Sequence, residues 1–199
     1  FGPVQKIIST KELIDRKQLA NFSMKCIVLK YPEAICKLTK GRTYQEEMDF
    51  LVSYEERNRF IRNLALSLEG NTLILFTYVE KHGKILKSLI DDKVKSLNDG
   101  RKVFFVCGET EVADREAVRY ITEKENNAII VASYGTFSTG TNIKNLHNVI
   151  FASPTKSKIR NLQSIGRVLR LGENKSEAIL YDIADDLRSG QLEIGRAHV

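Results

Sequence analysis

The residues best suited to chemistry lie in Gln163-Ser-Ile-Gly166-Arg167-Val-Leu-Arg170, a Q-x-x-G-R-x-x-R pattern. On an α-helix, positions three and four apart share a face, so Gln163, Arg167 and Arg170 would project together. Ile165 and Leu169 would turn toward the core. Gly166 lets another backbone approach closely beside the arginines. Two neighbouring guanidinium groups form a rigid planar array of donors that fits phosphate oxygens. In phosphoryl transfer such arginines stabilise the negative charge that builds up in the transition state. A basic helix face is more often simply solvated. Here the glutamine, the glycine and both arginines fall in one register after a predicted strand, which favours function.

Two weaker features precede it. Ser133-Tyr-Gly-Thr136-Phe-Ser-Thr139-Gly140-Thr-Asn142 follows an apolar run ending at Ala132. Its small hydroxyl residues and glycines predict a loop whose amides and hydroxyls can face phosphates, although such clusters mostly mark turns. Leu73–Phe76 is followed by Thr77-Tyr78, a hydroxyl pair at a strand end that could touch a nucleic-acid backbone. Gly108-Glu109-Thr110 stands similarly after Val103–Cys107, with Thr110 equally suited to capping the next helix.

Other chemistries lack their residues. No G-x-x-x-x-G-K-[ST] phosphate loop occurs, since Gly83-Lys84 is followed by Ile85. No D-E-x-x box is present, and Asp91-Asp92 and Asp185-Asp186 are expected to lie outside the strand context such a box needs. The chain has no dinucleotide fingerprint, no G-x-S-x-G and no Cys/His pair at a spacing that would point to a nucleophile. Cys26, Cys36 and Cys107 are odd in number and form no C-x-x-C, and the three histidines are scattered. No metal site is expected, and the thiols read as reduced. A net charge of +6 permits a phosphate-rich partner without requiring one.

Positioning these residues needs a sheet. Apolar runs at Cys26–Leu29, Thr72–Phe76, Val103–Val106, Ala128–Ala132, Asn148–Phe151 and Ala178–Ile183 predict strands, most without polar alternation, as in a parallel sheet covered on both faces. Helices are predicted between them: Tyr54–Leu68 with a Phe60, Leu64, Leu68 stripe, then Val79–Ile90, Glu111–Thr122 and Ser157–Leu171. Gly70 is read as a helix stop. This alternation implies an α/β fold with right-handed crossovers, and ligands then gather at the carboxyl ends of the strands. Residues 33–50 read as a polar insertion after the first strand, with the composition of a mobile loop. Residues 1–22 read as a connector, and the lack of an initial Met points to a longer parent chain. Residues 188–199 lack apolar periodicity and read as a non-native or disordered tail. No apolar run is long enough to cross a bilayer.

Taken in order, Leu73–Tyr78, Ser133–Asn142 and Gln163–Arg170 resemble motifs IV, V and VI of the C-terminal, second RecA-like motor domain of superfamily 2 helicases. The resemblance spans roughly residues 23–187 and is strongest to a phage member of that family. It implies a RecA-like three-layer α/β sandwich with a mostly parallel sheet. It also implies that the full-length protein is an ATP-dependent DNA helicase acting on branched or duplex DNA in recombination, repair or replication, in the cytoplasm of a host cell. ATP and Mg2+ would sit between this domain and an N-terminal RecA-like domain of the same chain, which would bring the Walker lysine and the acidic motif. This fragment alone would bind neither and would be inactive. Arg167 and Arg170 would serve as the catalytic arginines on the ATP phosphates, with Gln163 nearby and Gly140 and Asn142 approaching the nucleotide. Thr77, Thr110, Ser133 and Thr136 would contact the DNA backbone. Many family members carry Asp at the position of Asn142, so the charge is lost there while hydrogen bonding is kept. The alternatives are a non-catalytic nucleic-acid-binding α/β module, an RNA helicase domain, or a small-molecule enzyme with a doubly wound fold.

Overall fold

Continuous Val, Ile, Leu and Phe runs have one comfortable place, the middle of a sheet buried on both faces, and they occupy it. The structure, a computed structural model, describes residues 21–139, 143, 145–154 and 177–187. Strands β1 (Asn21–Lys30), β2 (Thr72–Phe76), β3 (Val103–Val106), β4 (Ile129–Ser133), β5 (Asn148–Phe151) and β6 (Glu177–Asp186) form one sheet. Its order is β1-β6-β5-β2-β4-β3, and every neighbouring pair is parallel. Strands β2, β4 and β5 are buried throughout.

Side chains alternate across the sheet and build two cores. Leu73, Leu75, Ile130, Ala132, Val149, Phe151 and Leu180 face one side, where they meet Tyr134, Phe137, Ile143 and Leu146. Ile74, Phe76, Ile129, Val131, Ile150 and Ile183 face the other. There they meet Ile61 and Ala65 of one helix and Leu86, Ile90 and Val94 of another. Each such fully buried aliphatic side chain contributes about 1.5–3 kcal/mol.

The helices are α1 (Glu33–Thr39), α2 (Tyr44–Ser53), α3 (Glu55–Ser67), α4 (Lys84–Leu97), α5 (Val112–Lys124) and α6 (Tyr134–Thr139), with a π-helical turn at Val79–Gly83 leading into α4. No helix among the described residues is long and apolar enough to cross a membrane.

Several expectations are corrected. Residues 33–50 are not a loop but mostly helix, α1 and the first part of α2. The start of α2 is fixed by a capping box: the Glu46 amide donates to the Thr43 hydroxyl, and the Thr43 amide donates to the Glu46 carboxylate at 2.7 Å. That T-x-x-E signal stood in the sequence, but a helix burying only one side reads as polar. Strand β4 runs one residue further, through Ser133, and a short helix rather than a loop follows it. Asp185 and Asp186 do lie on a strand, at the end of β6. Thr110 is not a helix cap, because Glu111 holds the cap position of α5. The stripe of α3 is also rotated: Arg57, Asn58, Ile61 and Ala65 are its buried residues, while Phe60 and Leu64 are only partly covered. The predicted helix at 157–171 lies outside the described residues.

Two glycines are required by close approach. Gly70 has φ +86, and a Cβ there would stand 2.6 Å from the His147 ring. Gly83 closes the π-helical turn against the Phe76 ring, where any Cβ would collide.

Beside Gly70, fully buried Asn71 ties four chain segments together. Its amide nitrogen donates among the carbonyls of Thr122, Glu125 and Asn145 at 2.7–2.9 Å, and its oxygen accepts the Ala128 amide at 2.8 Å. Asn71→Ala would leave an orphaned amide and orphaned carbonyls, each costing about 1–3 kcal/mol. We expect a loss of about 3–4 kcal/mol in chemical denaturation and a Tm roughly 10 °C lower. A loss under about 1 kcal/mol would show that this clamp is not a principal tie.

Candidate functional site

A parallel sheet delivers all its carboxyl ends to one edge, and the candidate residues of β2, β4 and β3 follow from that. In the strand register Phe76 stands beside Ser133, and Val106 beside Ala132. Thr77, Ser133 and the Cys107–Thr110 turn therefore end three adjacent strands, spaced by the usual ~4.8 Å. Thr77 is exposed. Ser133 and Thr136 are nearly covered, at 9% and 5% exposure, and their hydroxyls bond each other at 2.7 Å. The Thr136 amide also donates to Ser133 Oγ. Thr110 is half-buried and its hydroxyl accepts the Cys107 amide at 2.9 Å, while the Arg115 guanidinium binds the carbonyls of Thr110 and Gly108. The edge thus presents Thr77 directly. Ser133, Thr136 and Thr110 instead have their hydroxyls engaged in shaping the turns. Arg167, Arg170, Gln163, Gly140 and Asn142 lie outside the described residues.

Two buried polar groups at the same edge escaped the sequence reading. The first joins Arg57, Asp185 and Tyr31. The Arg57 guanidinium spans both Asp185 oxygens, at 2.8 and 3.0 Å, and donates to the Ala152 carbonyl at 2.7 Å. The Tyr31 hydroxyl donates to Asp185 at 2.6 Å. Burial first, then the Asp185 charge, push the Tyr31 phenol far above its ordinary value, so it stays a donor. Tyr31 also packs in an aromatic cluster with Phe50 and Tyr54, and Arg42 lies over the Phe50 ring.

The second group runs through fully buried His82 and Ser153. Asn58 gives its amide N–H to the Val52 carbonyl, so its oxygen accepts from His82 Nε2 at 3.1 Å. His82 Nδ1 is then bare and accepts the Ser153 hydroxyl at 2.9 Å. Ser153 Oγ in turn accepts the Thr77 amide at 3.1 Å, and the Ser153 carbonyl accepts the Tyr134 hydroxyl. Burial above all, and then the nearby Arg57 charge, lower the His82 pKa to about 3, so the ring is neutral. One signal for the first group was available: Arg57 stands four residues before Ile61 and eight before Ala65, on the apolar face of α3.

The family of helicase conserved C-terminal domains matches residues 55–172, a stretch holding every candidate residue. The ATP-dependent DNA helicase UvsW of Enterobacteria phage T4 is 38% identical over 188 residues, covering 93% of this chain and 36% of UvsW. The crystal structure of T4 UvsW matches with a TM-score of 0.71 at 35% identity, covering 91% of this chain and 37% of that one. The DNA-bound ATP-dependent Type ISP restriction-modification enzyme LlaBIII shares the fold alone, with a TM-score of 0.57 at 19% identity over 85% of this chain and 12% of that one. The chain therefore spans little more than a third of UvsW.

The neutral histidine has a pH signature. Its folded pKa, about 3, lies below the unfolded value near 6.5, so its contribution is complete above that value and lost as pH falls toward 3. Between those limits stability should fall by about 1.4 kcal/mol per pH unit from this group. His82→Gln, which keeps one donor and one acceptor, should flatten the acid limb of stability measured by denaturant titration between pH 6.5 and 4. Parallel slopes for the two proteins would assign acid sensitivity to other groups.

Proposed function

The chain belongs to the helicase conserved C-terminal domain family and has the RecA-like fold, and from that premise we propose that it is the second motor domain of an ATP-dependent DNA helicase acting on branched or recombination intermediates. One observation carries this reading. The matched stretch contains the arginine pair Arg167 and Arg170, yet the sequence has no G-x-x-x-x-G-K-[ST] motif, as expected of one half of a two-domain nucleotide site.

The donor chemistry fits phosphates. Two guanidiniums and the Gln163 amide N–H offer positive and neutral donors to a nucleotide. Among the described residues no cluster of three His, Cys, Asp or Glu side chains could hold a metal ion. The Mg2+ ligands and the Walker lysine belong in this reading to an N-terminal RecA-like domain. Hydrolysis of ATP would supply the free energy. Arg167 and Arg170 reach phosphates held by that domain only when the cleft between the domains closes, and they lose the bridge afterwards. Gly140 and Asn142 line the nucleotide side. Thr77, with Ser133, Thr136 and Thr110 shaping the adjacent turns, forms part of a DNA track along the strand ends. Contacts to backbone rather than bases make the motion independent of sequence.

In a protein joining this chain to an N-terminal RecA-like domain, Arg170→Ala should lower DNA-stimulated ATP hydrolysis by at least about a hundredfold and leave DNA affinity within about twofold. Loss of DNA binding with hydrolysis intact would make this a nucleic-acid-binding module instead. The 199-residue chain alone should show no ATP turnover, and turnover by pure material would contradict the half-site reading.

A further inference from the structure

Ser153 has no exposure, yet three elements of the carboxyl edge converge on it. It follows β5 by two residues. Its hydroxyl takes the Thr77 amide from the end of β2, its carbonyl takes the Tyr134 hydroxyl from α6, and its proton goes to His82 in the π-helical turn. The ladder stops here. The amides of Ala152 and Ser153 both turn to the Leu75 carbonyl, at 3.0 and 3.4 Å. Thr77, the first residue beyond β2, is then held through its amide by a side chain instead of a neighbouring strand.

The bonds of this chain run in a fixed direction. Val52 carbonyl, Asn58, His82, Ser153 and Thr77 amide are linked in series, so turning Asn58, His82 or Ser153 would break the bond to its neighbour. An apolar residue pair would fill the same space without fixing Thr77. The polar chain adds a defined position for an exposed residue, relative to Ser133 at the end of the neighbouring β4 and Thr136 in the α6 that follows.

We propose that Ser153, oriented by His82 and Asn58, is a positioning residue that sets the Thr77 backbone against the Ser133–Thr136 turn so that the two strand ends engage successive points of a nucleic-acid backbone. The inference rests on the reading of this edge as a DNA track. Ser153 is also two residues ahead of the 155–176 stretch that contains Arg167 and Arg170, which places it in the chain between the two kinds of contact.

The test uses the 199-residue chain and a fluorescein-labelled oligothymidylate at low salt, with affinity read by anisotropy and the Thr77 amide read by hydrogen exchange. Thr77→Ala, which removes the side-chain hydroxyl with its methyl and leaves the backbone amide in place, should weaken binding about fivefold, the scale of one net hydrogen bond of about 1 kcal/mol. Ser153→Ala and His82→Leu should weaken it by a similar factor while circular dichroism is retained, and should accelerate Thr77 exchange about tenfold. His82→Gln should restore both. In the unaltered chain, saturating oligothymidylate should slow Thr77 exchange, a measurement that needs no variant to fold. If Ser153→Ala speeds exchange but leaves affinity unchanged while Thr77→Ala weakens it, the positioning role is overturned and the DNA track stands. If Thr77→Ala leaves affinity unchanged and oligothymidylate leaves Thr77 exchange unchanged, the DNA track at Thr77 is overturned, and the inference with it.

Discussion

An all-parallel sheet must end every strand at one edge, and the peptide groups released there have no further ladder to pair with. Six strands share that direction among the described residues. A buried unpaired amide or carbonyl costs about 1–3 kcal/mol, so an edge that is also packed against helices has to be satisfied by side chains. Arg57 takes the Ala152 carbonyl, Ser153 takes the Thr77 amide, and Thr110 takes the Cys107 amide. The opposite edge has its counterpart in Asn71, which gathers the starts of β2 and β4 and the chain entering β5. The sheet is thus pinned at both ends by polar side chains, and its apolar middle is free to be uniform.

The buried ion pair belongs to this pinning. Surface pairs such as Lys37–Glu33, with both side chains more than 70% exposed, contribute roughly 0–1 kcal/mol. Arg57 and Asp185 are 0% and 2% exposed, so their desolvation is severe. It is offset because both Asp185 oxygens and three Arg57 nitrogens are bonded, with Tyr31 supplying one further donor. Removing one partner from such a pair typically costs about 3–5 kcal/mol, whereas replacing both by apolar groups can be neutral. What the pair adds is register: it fixes α3 to the ends of β5 and β6 and to the residue after β1.

How far the sequence discloses this depends on whether burial is apolar. β2, β3 and β5 match their expected bounds because each is a short run dominated by Val, Ile, Leu and Phe. β1 and β6 were drawn too short, since their ends, Asn21 and Lys30 or Glu177 and Asp186, are polar residues carried along by a long mutual ladder. Residues 33–50 read as a polar insertion because α1 buries only Thr39 and α2 only Glu47, Met48, Leu51 and Val52. The polar groups of the edge are hard to read for a different reason, with Arg57 on the apolar face of α3 as the one hint. Arg57, His82, Ser153 and Asp185 come from four separate segments, and nothing in the spacing of one announces the others. Gln163, Arg167 and Arg170 can be read together because they stand three or four positions apart in one stretch of sequence.

That difference bears on how a helicase C-terminal domain would be built. Residues that touch a nucleotide or a nucleic acid must be offered outward and can be read as local motifs. Residues that hold one contact at a fixed distance from another must reach across the fold, so they appear only when strands are brought side by side. Ser153 is of the second type: a small hydroxyl residue without a motif, placed where the ends of β2, β5 and the start of α6 meet. A single hydrogen bond of about 1 kcal/mol is enough to matter there. Thr77 sits one residue beyond the ladder, where its amide is bonded to a side chain, Ser153 Oγ, and not to a neighbouring strand.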